Sequence, residues 1–170
     1  MADSQIKKTL EELLEQRGYE ITEENEESIT ATKNGEKICA FLETVPKFNM
    51  KTFQAYVGRL NELEISHGIV VYEGITSAVK KLLVNTAELN MTIESFDAST
   101  LRYNLTFHRL VPPHTKVSDE EATVLKQKYG ATNFPILKSS DAVARFYGFK
   151  KGDVIKIIRK TGFVAYRIVR

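Results

Sequence analysis

The sequence is sparing with several residue types, and each scarcity removes a class of chemistry. A single cysteine, Cys39, rules out an internal disulfide. Four prolines and nine glycines in 170 residues are too few for a collagen-like or linker-rich chain. No apolar run approaches the roughly 18 residues of a membrane span, and the opening MADSQIKKTLEELL is amphipathic rather than a secretory leader. An intracellular, reducing setting is expected, with no membrane partner. Gly-x-Gly occurs nowhere and Gly-x-x-x-x-Gly-Lys-Ser/Thr is missing, so neither common phosphate-cradling loop is available.

Other sites are thin too. His67 stands alone, while His108 and His114 are six apart instead of the four that would stack two imidazoles on one helical face. Structural hydrogen-bonding roles are therefore expected, with no metal and no cofactor. Cys39 lies between Ile38 and Ala40 and reads as a packed small hydrophobe. A mixed α/β chain with a hairpin invites a nuclease reading, in which an acidic-x-Lys triplet holds a divalent metal against phosphate. No lysine here has Asp or Glu two positions before it. Gly148-Phe-Lys-Lys-Gly152 resembles a phosphate turn but reads better as the entry to a strand.

With 42% apolar and 27% charged side chains, the composition is that of a globular chain long enough to bury roughly 70% of its unfolded surface. The net charge of +2 hides a split. Residues 1–105 hold 11 Lys and Arg against 17 Asp and Glu, a balance of −6, whereas 106–170 hold 13 against 5, a balance of +8. Two units with different partners are expected, the second facing nucleic acid or an acidic protein surface.

Periodicity predicts a helix over 5–17, with Ser4 as cap and Gly18 as stop. The glutamate-rich stretch 20–27 reads as a solvated loop or helix end. Asn34-Gly35 between 28–33 and 36–43 predicts a tight hairpin. Phe53, Val57, Leu60 and Leu63 mark a helix and 68–72 a buried strand; Thr76 is placed to cap a helix carrying Ala78, Leu82, Leu83 and Ala87, and 92–96 alternates as a strand. The order α-β-β-α-β-α-β implies helices on a mixed sheet. A boundary is expected near Asn104, where Pro112-Pro113 follows a change of charge. Beyond it, Ser118-Asp-Glu-Glu121 opens a helix ended by Gly130, a short helix is predicted over 140–147, and 154–159 pairs with 163–169 across Lys160-Thr-Gly162.

The stretches RLNELEISHGIVVYEGITSAVK, HRLVPPH, SDEEATVLKQKYG, FPILKSSDAVARFYGFKKGDVIKIIR and YRIV closely resemble the fifth-largest subunit shared by the eukaryotic nuclear RNA polymerases. The C-terminal part is similar to the small H-type subunit of the archaeal polymerase. The resemblance runs from about Lys33 to Arg170. It implies an α+β/α/β chain: an N-terminal mixed α/β jaw domain over 1–104, of restriction-nuclease-like topology without an active site, and a small C-terminal α+β assembly domain over 105–170. By the same resemblance the chain is a non-catalytic component of a multisubunit DNA-directed RNA polymerase. The jaw is expected beside downstream duplex DNA, in weak, sequence-independent contact, and the assembly domain on the largest subunit near the omega-like small subunit. The competing expectation is a stand-alone interaction module with the same fold. A cellular enzyme implies the nucleus, and a copy from a large DNA virus implies a cytoplasmic virus factory or virion.

Carried over by motif, Thr76, Ser77 and Ala78 match the family's Thr-Pro-Ser-Ala loop nearest DNA, without its proline, and Lys80 and Lys81 follow in the same helix. The candidates for docking on the largest subunit are His108, Pro112 and His114 at the junction, Asp141, Arg145 and Tyr147 in the short helix, and Lys156, Arg159, Tyr166 and Arg167 in the hairpin. Ile155, Ile157, Val164 and Ile168 are to be shared between adhesion and the domain's own core. Relatives have Asp-Pro where this chain has Asp141-Ala142, and a longer turn than 160–164.

Overall fold

Apolar side chains every three or four positions make the first helix, α1 (Ser4–Gln16), which buries Ile6, Leu10, Leu13 and Leu14. Gly18, at φ +80°, ends it: the Gly18 N–H donates to the Glu15 carbonyl at 2.8 Å and the Tyr19 N–H to that of Leu14 at 3.0 Å. This is a computed structural model that describes residues 4–84, 90–130 and 132–170. The chain divides into two units, Met1–Asn104 and Leu105–Arg170, each with its own mixed sheet.

In the first unit, β1 (Glu20–Glu24), β2 (Ser28–Lys33), β3 (Glu36–Val45), β4 (His67–Tyr72) and β5 (Thr92–Asp97) lie in chain order across one sheet. The first three pair antiparallel, and β3-β4 and β4-β5 are parallel. Residues 20–24 of the glutamate-rich segment are thus an edge strand rather than the expected loop or helix end, and 25–27 form the loop to β2. The strand's side chains are nearly all exposed and a bulge interrupts its register near Thr22, so the charges guard an edge that would otherwise invite pairing. Asn34 and Gly35, at φ 51° and 84°, make the hairpin turn between β2 and β3.

The parallel pairs need crossovers, and helices supply them: α2 (Met50–Glu62) between β3 and β4, and α3 (Ser77–Val84) between β4 and β5. Asn49 caps α2 by accepting the Thr52 N–H at 3.1 Å. Phe53, Tyr56 and Leu60 of α2 and Val79 of α3 pack on Cys39, Phe41, Val70 and Ile93, while α1 lies against β1, β3 and the turn Ala98–Leu101. Ala87, assigned to the third helix by periodicity, lies outside the described residues.

The second unit is a four-stranded sheet of order β6-β8-β9-β7, built from β6 (His114–Lys116), β7 (Ile136–Leu137), β8 (Val154–Ile158) and β9 (Val164–Val169). Helices α4 (Asp119–Tyr129) and α5 (Ala142–Tyr147) complete it. Strands β6 and β7 escaped the sequence reading because three and two residues carry no period. Alternation along the hairpin serves two cores: Val154 and Ile168 pack with Val117, Ala122 and Phe134, and Ile155, Ile157 and Val169 with Leu137 and Ala144. Among the described residues no helix is long and apolar enough to cross a membrane.

Candidate docking cleft and DNA-proximal loop

In the second unit, β6 and β8 run antiparallel with His114 opposite Ile157, and β9 pairs with both β8 and β7. Over this side of the sheet opens a cleft of about 500 Å³. Its apolar lining comes from Val111 and Pro112 of the junction, Leu137 of β7, Val143 of α5 and Ile157 of β8. Its charged lining is Arg109, Arg159, Lys160 and Arg167, against the lone carboxylate of Asp141. That carboxylate is already engaged, because Asp141 caps α5 by accepting the Val143 N–H at 2.9 Å. His114 completes the wall, and its Nδ1 donates to the Pro112 carbonyl at 2.6 Å. Burial holds the His114 pKa below the usual imidazole value, against the opposing pull of that hydrogen bond.

The cleft gathers Pro112, His114, Asp141, Arg159 and Arg167 from four separate stretches of sequence. The other five docking candidates lie elsewhere on the unit. His108 is exposed, its ring accepting the Leu110 N–H at 3.3 Å, and Arg145 is exposed on α5. Tyr147 stacks on Phe149 at 5.2 Å, while Lys156 and Tyr166 face one another across β8 and β9. Of the four aliphatic side chains to be shared between adhesion and core, Ile155, Ile157 and Ile168 belong to the core, and only Val164 is open to a partner. Arg109, Lys160, Leu137 and Val143 were missed as cleft residues, because nothing in the sequence ties them to one another.

The resemblance to a phosphate turn at 148–152 dissolves once its bonds are traced. The Lys150 N–H donates to Asp153 Oδ2 at 2.8 Å, so the chain's own carboxylate takes the place of an anion. Asp153 also pairs with Lys116 at 2.9 Å.

In the first unit the loops leaving β3 and β4 zip together beyond the strands. The Phe48 N–H donates to the Gly74 carbonyl at 2.7 Å and the Thr76 N–H to that of Phe48 at 3.1 Å. Thr76 Oγ1 turns to the Phe48 carbonyl at 3.4 Å instead of capping α3, which corrects the expected capping role. The loop that lacks the family's proline is thus tied to the start of α2 by backbone pairing. Ser77, Ala78, Lys80 and Lys81 are exposed on the α3 that follows.

A partly buried charged cluster was also missed. Arg17, at the end of α1, holds both oxygens of Glu94 on β5 at 2.7 and 2.8 Å, and His67 Nε2 of β4 meets Glu94 Oε1 at 2.7 Å. Burial alone would raise the Glu94 pKa, yet the Arg17 charge and hydrogen bonds, helped by His67, hold it at about 2. The three residues are far apart in sequence, so no local spacing announces them. Cys39 is buried and burial pushes its thiol up, as suits a packing residue.

Residues 103–169 match the family described as RNA polymerase Rpb5, C-terminal domain. A DNA-directed RNA polymerase subunit protein of Invertebrate iridescent virus 6, designated 454R, is 32% identical, with 94% of this chain and 95% of the relative covered. The subunit rpabc1 of RNA polymerases I, II and III of Dictyostelium discoideum is 30% identical over 96% of this chain and 95% of its own. The chain belongs to the Rpb5 family. The corresponding subunit of Caenorhabditis briggsae is 33% identical over 72% of this chain and 61% of its own. Within the Rpb5 motif block the structure separates two kinds of position: Ala144, Val154 and Ile157 fill cores, whereas Arg145 and Arg159 are solvent-exposed.

Proposed function

We propose that this chain is a non-catalytic subunit of a multisubunit DNA-directed RNA polymerase, with its 105–170 unit docked on the largest subunit near the omega-like small subunit. In this reading the 1–104 unit is the jaw and lies beside downstream duplex DNA. The observation that carries it is that relatives named as polymerase subunits align with both units, not with the C-terminal motif block alone. The cationic cleft supports the docking half, since guanidinium groups beside aliphatic side chains suit a protein surface of opposite charge.

For the DNA half, Thr76, Ser77 and Ala78 with Lys80 and Lys81 form the DNA-proximal candidate. The exposed lysines would meet phosphates without reading bases. The balance of −6 over residues 1–105 opposes tight binding by the free protein, so the contact would depend on being held in the complex. The compartment follows the enzyme: nucleus for a cellular polymerase, virus factory or virion for a viral one.

Affinity capture of the tagged chain from its native cell or virion tests the reading. Recovery of the largest subunit together with promoter-independent RNA synthesis is expected. Recovery of neither would leave a stand-alone interaction module in its place. Arg145→Glu should lower incorporation if the exposed face of α5 meets the partner, and unchanged incorporation would remove Arg145 from the dock.

A further inference from the structure

Resting on the subunit reading, we propose that the cleft of the 105–170 unit receives an acidic segment of the partner protein, in which carboxylates flank an aliphatic side chain. Four observations converge on this occupant. Arg109, Arg159, Lys160 and Arg167 line the cleft, and among the described residues none is ion-paired to a carboxylate. The one acidic group there, Asp141, which also caps α5, offsets only one of the four cations, so a net positive field is left for a partner to neutralise. Leu137, Val143 and Ile157 form an aliphatic floor with no hydrogen-bonding side chain to offer, which calls for an apolar side chain between the charges. A cleft of about 500 Å³ has room for a few residues of a partner chain.

A polynucleotide fits less well. It would meet the same cations, but the lining holds no phenylalanine, tyrosine or tryptophan on which bases could stack, and the aliphatic floor offers nothing to a sugar-phosphate backbone. A neutral apolar peptide would satisfy the floor and leave the cations desolvated without compensation.

The test titrates the full, methyl-labelled chain with a blocked peptide alternating glutamate and leucine, followed by nuclear magnetic resonance. The same peptide with glutamine for glutamate and a short duplex DNA are run in parallel. The acidic peptide is expected to move the methyl signals of Leu137, Val143 and Ile157. Its affinity should fall about tenfold in the Arg159→Glu/Lys160→Glu variant, and by a similar factor for the glutamine peptide. Both substituted positions are exposed, and the unperturbed core methyls of Val154 and Ile168 report that the variant is folded. Equal binding of the glutamine peptide, the same shifts with duplex DNA at higher affinity, or no movement of the three floor methyls would overturn the proposal. Capture separates it from the reading beneath it. If the wild-type chain and the charge-reversed variant recover the largest subunit equally, the cleft is not the dock although the subunit reading stands. If the wild type recovers none, the subunit reading fails and the titration alone decides whether the cleft takes an acidic segment.

Discussion

Gly68 shows how one missing atom sets the spacing between a helix and a sheet. A Cβ there would lie 2.6 Å from Leu60 Cδ1, so α2 can approach β4 only over a glycine. Gly68→Ala should cost about 1–3 kcal/mol in urea unfolding. The Leu60→Ala/Gly68→Ala double variant should lose less than the sum of the two single losses, since removing the leucine branch makes room for the new methyl. Glu94 is the second residue on which much rests. Its folded pKa of about 2 lies below the ordinary 4.5, so the stability it adds is complete above about pH 4.5 and is lost as pH falls toward 2. Glu94→Gln should flatten that acid limb. It should also cost roughly 3 kcal/mol at neutral pH, because the Arg17 side chain, only 5% exposed, would lose the carboxylate that now takes two of its hydrogen bonds. An unchanged acid limb in chemical denaturation at several pH values would show that the cluster is not the group titrating.

At the scale of elements, α5 is a six-residue helix that leans on its ends. Asp141 caps the start, and Gly148, in the left-handed region at φ 68°, closes the finish. Asp141→Ala should therefore destabilise the second unit by about 1 kcal/mol. The family's Asp-Pro at this point has a structural explanation. Ala142 is the first helical residue, whose amide has no intrahelical partner, and Asp141 at φ −61° and ψ 139° already has the backbone that a following proline requires. Ala142→Pro should be neutral or stabilising by up to about 1 kcal/mol, read as a rise in melting temperature. Strand β1 teaches the opposite lesson about elements. Five glutamates in eight residues speak for solvent in any local reading, yet the segment pairs with β2 because an edge strand needs only one buried neighbour and can leave its side chains in water.

For the whole molecule, two units with separate sheets and separate cores predict two unfolding events. Gly68→Ala should move only the transition of the first and Asp141→Ala only that of the second. A single transition shifted by both would mean that the units unfold as one. The charge division, −6 against +8, adds an electrostatic prediction. Lys80→Glu/Lys81→Glu should weaken retention of downstream DNA by the assembled polymerase, and the free chain should hold duplex DNA poorly with or without the change, as filter binding at several salt concentrations would record.

The sequence by itself determined the elements whose signals are local: α1 with its glycine stop, the Asn34-Gly35 hairpin, the all-apolar β4, the Ser118 cap and the β8-β9 pair. It also determined the family, because motif blocks survive as contiguous strings. Capping, turn geometry and hydrophobic period act over a few neighbouring residues, so the order of side chains is enough to read them. Tertiary structure decided what depends on residues distant in the chain. It drew Arg17, His67 and Glu94 into one partly buried cluster, assigned Ile155, Ile157 and Ile168 to cores while leaving Val164 exposed, and gathered Arg109, Asp141, Arg159 and Arg167 around one cleft. Burial and charge proximity are properties of the folded arrangement, set by which strands pair and which faces are covered, and no local spacing encodes them.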